Sequence, residues 1–139
     1  KIDRVDNVGG IIRVIDYKTG NVDSFSFSDV KELFDRERNR PKKELLQALL
    51  YSFFLEESID FGRPVQPVIY SLRKFFDEKF SPEIKFGRQP VSFREVEEDF
   101  ILELKALLEE IFSTEISFFQ TSDIAVCRNC PYNKICQKY

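Results

Sequence analysis

The chain has 139 residues, a hydrophobic fraction of 42% and a charged fraction of 32%, which is the composition of a folded globular protein and excludes a disordered segment. Its net charge of −3 provides no general attraction to nucleic acid, so contact with a polyanion would need a local basic patch. No apolar run approaches the ~20 residues of a membrane-spanning helix, and we expect a cytoplasmic protein with no membrane partner. The absence of histidine excludes Ser/His and Cys/His nucleophile pairs and histidine metal ligands within these residues.

The first 28 residues predict three consecutive strands. β-Branched residues dominate the two segments on either side of 7–10, where Gly9 and Gly10 indicate a hairpin turn. After a second turn at 19–21, apolar and serine residues alternate through 24–28 with the period of a strand. We therefore expect a three-stranded meander.

The rest of the chain predicts an α/β fold in which helices flank a mixed sheet. A helix over 44–55 is apolar nearly all round, which favours burial against that sheet. Residues 65–72 predict a further strand, and 81–91 a loop because it contains two prolines and a glycine. Ser92 and Glu95 form a capping-box pattern that is expected to open the last long helix.

Five basic residues lie close together just before the 44–55 helix. These residues are Arg36, Arg38, Arg40, Lys42 and Lys43. They are candidates for contacts with backbone phosphates. The alternative is a solvated basic loop, which is the commoner role of a charge run.

Asp3, Asp16 and Lys18 form the first group of residues with chemical potential. Residues two apart on a strand point to the same side, so Asp16 and Lys18 share a face, and Asp3 lies on the adjacent strand. Two carboxylates on neighbouring strands can hold one Mg²⁺, which prefers oxygen ligands. A lysine beside them can act on the attacking water and on phosphate charge. The alternative is an exposed, charged sheet face, since Asp-x-Lys is a common tripeptide.

Gln47 and Tyr51 are the polar exceptions on the apolar helix. They lie four residues apart and therefore share one face. From the residues alone, they are either a polar helix edge or a pair directed at the charged end of the sheet.

Cys127, Cys130 and Cys136 are the only cysteines and lie within ten residues. Three closely spaced thiols of this kind indicate a metal site more than disulfides, and free thiols are the alternative. Structural zinc and a [4Fe–4S] cluster both take four ligands, so the sequence lacks one in either case.

In this order and spacing, the motifs resemble the RecB-like branch of the PD-(D/E)XK nuclease superfamily. The matching segments are Ile-Asp-Arg-Val-Asp at 2–6, Val-Ile-Asp-Tyr-Lys-Thr-Gly at 14–20 and Gln-Ala-Leu-Leu-Tyr at 47–51. The cysteine segment at 127–136 resembles the end of the iron–sulfur nucleases of that branch, which include AddB-type helicase–nuclease subunits and CRISPR-associated exonucleases of spacer acquisition.

The resemblance assigns a role to each residue of the group formed by Asp3, Asp16 and Lys18. Asp3 and Asp16 are implied to be metal ligands and catalytic carboxylates, with the Tyr17 carbonyl as a further ligand. Lys18 is implied to be the catalytic lysine. Asp6 competes with Asp3 for the first position, but it has the opposite strand parity.

Two other groups take roles from the same resemblance. Gln47 and Tyr51 are implied to face the active site and the DNA. Cys127, Cys130 and Cys136 are implied to hold a [4Fe–4S] cluster together with a cysteine located before the nuclease motifs.

The resemblance also predicts a domain organisation. The chain is expected to be a fragment, because it has no methionine and starts at the strand that carries Asp3, whereas the family core begins with a helix. Residues 1–80 are expected to form the catalytic core, and 81–139 the last helix and the cysteine segment.

The sequence therefore predicts a Mg²⁺- or Mn²⁺-dependent DNA nuclease domain. The resemblance implies an exonuclease that acts in recombinational repair and is attached to a helicase or helicase-like region. One alternative is a non-catalytic DNA-binding or scaffolding module of the same fold. Another is a free-standing spacer-acquisition exonuclease.

Overall fold

The computed structural model describes residues 1–35, 41–58, 62–117, 120–121, 124–128 and 130–136. The strands are β1 (Arg4–Val8), β2 (Ile11–Lys18), β3 (Ser26–Phe27), β4 (Val65–Ser71), β5 (Lys85–Phe86) and β6 (Gln89–Pro90). The helices are α1 (Lys31–Phe34), α2 (Lys43–Ser58), a 3₁₀ turn (Phe93–Glu95), α3 (Glu97–Phe112), α4 (Ile124–Arg128) and α5 (Asn133–Cys136). The fold is α/β, as predicted.

The main sheet has the strand order β1-β2-β4 and is mixed. β1 and β2 form an antiparallel hairpin whose turn residues Gly9 and Gly10 have φ angles of 61° and 89°. Both angles lie in the left-handed region, where glycine carries no steric penalty. β4 joins the other edge of β2 in parallel. The predicted hairpin and the predicted strand at 65–72 are thus confirmed.

Helix α2 covers one face of the main sheet and forms the core with it. Side chains that alternate along β2 and β4 face the helix, because successive residues of a strand point to opposite sides. The buried residues of this layer are Ile12, Val14, Val65, Ile69, Leu45, Ala48 and Leu49. Asp16 follows Ile12 and Val14 with the same parity, so the core face of β2 ends in charged residues.

The three-stranded meander predicted for the first 28 residues is wrong. β3 is only two residues long and pairs with β5 in a second small sheet of order β3-β5-β6. The main sheet has no place for β3 beside β2, because β1 and β4 occupy both edges of that strand. The loop predicted over 81–91 is also wrong, since β5 and β6 form a hairpin with Gly87 at φ 62° in its turn.

The capping box predicted at Ser92 and Glu95 does not form. Ser92 precedes the 3₁₀ turn and makes no side-chain capping hydrogen bond, and α3 begins two residues after Glu95. A capping box needs Ser92 as the N-cap and Glu95 as the third residue of an α-helix. Here a 3₁₀ turn occupies these positions, so the α-helical geometry of the box is absent.

Helix α3 packs through its first half. The Phe100 ring lies 5.5 Å from the Phe34 ring of α1 and 5.6 Å from the Phe93 ring of the 3₁₀ turn, measured between centroids. Toward its end, Ile111 and Phe112 are exposed. The core contains residues from both sides of residue 80, and the subdivision at that point stays a prediction. Among the helices of the described ranges, none is long and apolar enough to cross a membrane.

Candidate active site

Asp16 and Lys18 form an ion pair at the carboxyl end of β2. Asp16 is 4% exposed because it continues the core face of the strand. The Lys18 Nζ atom lies 2.8 Å from Asp16 Oδ2. Oδ2 has no hydrogen-bond partner in the described part of the chain, and the ammonium offsets its charge as an ion pair. A buried carboxylate requires such a counter-charge, since burial disfavours the ionised form.

The ion pair continues into helix α2 through hydrogen bonds. Lys18 Nζ donates to Gln47 Oε1 at 2.6 Å, and Gln47 Nε2 donates to the Tyr51 hydroxyl at 2.7 Å. The spacing of four residues puts Gln47 and Tyr51 on the same side of α2. Asp16, Lys18, Gln47 and Tyr51 are called the polar network below. The structure brings these four residues together, as the sequence predicted.

Asp3 lies at the same end of the sheet, just before β1. Its Oδ2 accepts a hydrogen bond from the Tyr17 backbone N–H at 3.0 Å. Asp3 is exposed, unlike Asp16. The Tyr17 ring stacks on Tyr70, with centroids 5.8 Å apart, on the face opposite the polar network. Only the backbone of Tyr17 can therefore take part in a site with Asp16.

The donors at this end of β2 fit a hard divalent cation in chemical kind. Both Asp3 and Asp16 offer carboxylate oxygens, and Asp16 Oδ2 is buried without a hydrogen bond. In the described ranges no group of three or more acidic, cysteine or histidine residues could hold a metal ion. Asp3 and Asp16 would thus supply two carboxylates and leave the other positions to a backbone carbonyl, water or substrate, as Mg²⁺ sites commonly do.

Asp6 is engaged elsewhere. Its carboxylate accepts two hydrogen bonds from the Arg13 guanidinium, at 2.7 and 2.8 Å. Asp6 is paired with Arg13 across the hairpin, and Arg13 has the opposite parity to Asp16. The Arg13 guanidinium holds the pKa of Asp6 below its ordinary value, and the charge of Arg4 adds to this effect. The structure thus places Asp6 on the other face of the sheet.

Ser71, the last residue of β4, is a buried neighbour of Lys18 that the sequence did not predict. The parallel register puts it directly opposite Lys18. Ser71 is fully buried, and its Oγ has no hydrogen-bond partner among the described residues. In the sequence, Ser71 shows only the alternation of a strand. Its position beside Lys18 has no local signal, because the two residues are far apart along the chain.

The family model of the PD-(D/E)XK nuclease superfamily matches residues 1–137. The chain belongs to the PD-(D/E)XK nuclease superfamily. No curated protein and no solved structure gave a significant match. The match covers the β1–β2 hairpin, α2 and β4, and thus all the elements that hold the polar network.

In this PD-(D/E)XK chain the three cysteines are free thiols. Cys127 on α4 is buried, whereas Cys130 and Cys136 are half-buried. All three lie in the described ranges, where no group of three or more cysteine, acidic or histidine residues could hold a metal ion. The three thiols are therefore not gathered into one group of ligands, and the predicted iron–sulfur site stays a prediction.

Lys42 of the basic segment is held in a short ion pair within the PD-(D/E)XK fold. Lys42 Nζ lies 2.6 Å from Glu32 Oε2 and donates to the Ser26 carbonyl at 2.7 Å. The Lys42 ammonium, aided by hydrogen bonds from Ser28, lowers the pKa of Glu32 well below its usual range. Lys43 is exposed. Arg36, Arg38 and Arg40 lie outside the described residues.

The Asp6–Arg13 pair predicts a pH-dependent stability. Because the folded-state pKa of Asp6 lies below that of the unfolded chain, the pair stabilises the fold fully above about pH 4, and this contribution is lost as the pH falls through the folded pKa. Asp6→Asn is expected to lower the free energy of unfolding by about 1 kcal/mol at pH 7. Urea unfolding at pH 7 and pH 2.5 measures both effects.

Glu109→Gln, on the exposed side of α3, is the control and should change stability little at either pH. The difference in stability between the wild-type and Asp6→Asn proteins should be smaller at the lower pH. An equally large difference at both pH values would contradict the assignment of Asp6 to this ion pair.

Proposed function

We propose that this PD-(D/E)XK chain is a Mg²⁺- or Mn²⁺-dependent DNA nuclease whose active site is the carboxyl end of β2. The observation that carries the proposal is the position of the Lys18 ammonium, held between the Asp16 carboxylate and the Gln47 amide. A carboxylate can hold a divalent cation, and an ammonium beside it can stabilise charge on a phosphate, so the pair supplies two parts of a metal-dependent phosphodiester hydrolase.

Asp3 and Asp16 would hold the divalent cation, and the Tyr17 carbonyl is the further oxygen ligand that we assign to it. When bound, the cation makes a water nucleophilic at neutral pH and offsets charge on the phosphate. The Tyr17 backbone N–H donates to the Asp3 carboxylate and keeps it at this end of the sheet.

Lys18 is the group that we assign to the reacting atoms. Its ammonium can orient the attacking water and stabilise the charge that develops on the phosphate oxygens. Gln47 accepts a hydrogen bond from this ammonium and thereby fixes its direction. Gln47 in turn donates to Tyr51, whose ring is partly exposed on α2 and can contact the nucleotide being cut.

The biological setting is part of the proposal. We infer an exonuclease of recombinational repair that acts beside a helicase or helicase-like region in the cytoplasm. The support is the order of the motifs and the cysteine segment at 127–136, which together resemble AddB-type helicase–nucleases.

We predict that Lys18→Ala reduces DNA hydrolysis by about 10³-fold or more, because it removes the charge that stabilises the transition state. Binding of DNA should persist, since the other residues of the site remain. Cleavage of a fluorescent DNA in Mg²⁺ and DNA binding in Ca²⁺ measure the two properties. Circular dichroism in the same Mg²⁺ buffer verifies that the variant is folded.

Lys105→Ala on α3 is the matched control, because it removes an exposed lysine remote from β2. It should cleave like the wild type. Wild-type cleavage by Lys18→Ala would contradict the catalytic assignment. Loss of DNA binding together with cleavage would show that Lys18 acts in binding and would contradict its assignment to the chemical step.

We also predict that Asp16→Asn weakens Mn²⁺ binding by at least about 100-fold. Removing a residue that supports a metal ligand already lowers metal affinity by up to about 100-fold, and removing the ligand itself should lower it at least as much. Isothermal titration calorimetry measures the affinity. Asp6→Asn, on the other face of the same hairpin, should bind Mn²⁺ as the wild type does. Equal affinity of Asp16→Asn and wild type would remove Asp16 from the metal site.

The cysteine segment is proposed to serve a second cofactor. We assign Cys127, Cys130 and Cys136 as three ligands of a [4Fe–4S] cluster whose fourth cysteine lies outside this sequence. The spacing and the family resemblance support this assignment. Because the three thiols are not gathered in the structure, the segment would have to close around the cluster, so binding would be coupled to folding.

The 139-residue chain purified in air should therefore contain no intact cluster. A longer protein that supplies the fourth cysteine, purified without oxygen, should absorb near about 400 nm, as thiolate-bound iron–sulfur clusters do. Stoichiometric zinc in a colourless longer protein would contradict the choice of metal. The absence of any metal would show that the cysteines are free thiols.

A further inference from the structure

Ser71 is the residue beside the polar network that the proposed mechanism does not use. It is the last residue of β4, and the Leu72 backbone N–H directly after it donates to the Lys18 carbonyl at 2.9 Å. The ladder thus fixes Ser71 and Lys18 as neighbours on the core face of the sheet. Seven residue pairs join β2 and β4, from Ile12 with Val65 to Lys18 with Ser71.

The Ser71 hydroxyl lacks the hydrogen bond that its burial calls for. Ser71 is 0% exposed, and its Oγ has no partner in the described part of the chain. A buried hydroxyl without a partner is destabilising, since it has lost its bonds to water. Ser52 on α2 is equally buried, but its Oγ donates to the Ala48 carbonyl at 3.0 Å. The unpaired state is therefore particular to the serine beside Lys18.

Lys18 in turn stands where a cation would contact Asp16. Its Nζ lies 2.8 Å from Asp16 Oδ2, the buried oxygen without a hydrogen bond. A divalent cation on that oxygen would repel the ammonium, because two positive charges at such a distance interact unfavourably in a partly buried site. The flexible stem of lysine allows its three N–H donors to be redirected while its backbone stays in the strand.

We propose that Ser71 is a positioning residue for Lys18: its hydroxyl accepts a hydrogen bond from the Lys18 ammonium when a divalent cation binds Asp16. In the metal-free state the ammonium offsets the Asp16 charge and Ser71 is unpaired. In the metal-bound state the cation would take the place of the ammonium at Asp16. Ser71 and Gln47 would then together hold the Lys18 ammonium beside the substrate. This inference rests on the proposed metal site.

The two states predict opposite effects of Ser71→Ala on stability and on metal affinity. The metal-free variant should be at least as stable as the wild type, because it has lost only an unpaired hydroxyl. Its Mn²⁺ affinity should fall about tenfold, the usual size of a contact that supports a ligand site. Ser52→Ala is the matched control, since it should lose some stability and keep the wild-type Mn²⁺ affinity.

A double-mutant cycle tests whether Ser71 acts through Lys18. Mn²⁺ titrations are compared for the wild type, Ser71→Ala, Lys18→Met and the double variant, each verified as folded by circular dichroism. Ser71→Ala should weaken Mn²⁺ binding when Lys18 is present. It should have no effect in the Lys18→Met background, because that variant has no ammonium to donate a hydrogen bond to Ser71.

Wild-type Mn²⁺ affinity in Ser71→Ala would overturn the inference and leave the proposed function intact. An equal loss in both backgrounds would also overturn it, because Ser71 would then act without Lys18. If the wild type and Asp16→Asn bound Mn²⁺ alike, the proposed metal site would fall, and this inference with it.

Discussion

The ion pair between Asp16 and Lys18 is the interaction on which the account of this molecule depends. β2 crosses the core, and its inward face runs from apolar residues into a carboxylate that is 4% exposed. The Lys18 ammonium at 2.8 Å offsets that charge. Removing one partner from a buried pair commonly costs about 3–5 kcal/mol, so the site and the fold are coupled through this contact. A bound cation at Asp16 would restore the compensation that the lysine supplies.

The pairing of β2 with β4 gives the proposed site its second strand. Because these strands are parallel, their carboxyl ends meet at one edge, which brings Ser71 beside Lys18. Helix α2 lies over the same face and adds Gln47 and Tyr51. The opposite face of the hairpin holds a separate ion pair, Asp6 with Arg13, which stabilises the strands without reaching the network. The carboxylates that we assign to the proposed site and the carboxylate of Asp6 thus differ in strand parity.

The parts of the fold that local patterns determine could be predicted from the sequence. A separation of two residues along a strand places Asp16 and Lys18 on one face. A separation of four residues along a helix places Gln47 and Tyr51 on one side. The meeting of these two pairs depends on long-range packing, and only the resemblance to the PD-(D/E)XK nuclease superfamily predicted it. Ser71 escaped prediction because parallel register between distant segments leaves no local signal.

The errors have the same physical origin. β3 has the alternation of a strand, but alternation does not determine which strand it pairs with. It could not pair with β2, because β1 and β4 occupy both edges of that strand. The β5–β6 hairpin has strands of two residues each, too short for a periodic signal. The Ser92 pattern is compatible with an α-helix and with the 3₁₀ turn that forms. In each case tertiary packing selected between local alternatives.

The most direct test of this account is the anomalous diffraction of Mn²⁺ in crystals of the chain. The account predicts a manganese peak at Asp16 Oδ2, with the Lys18 ammonium displaced from that oxygen while its hydrogen bond to Gln47 is kept. Manganese absent from Asp16 at a saturating concentration, with the Asp16–Lys18 ion pair unchanged, would contradict it.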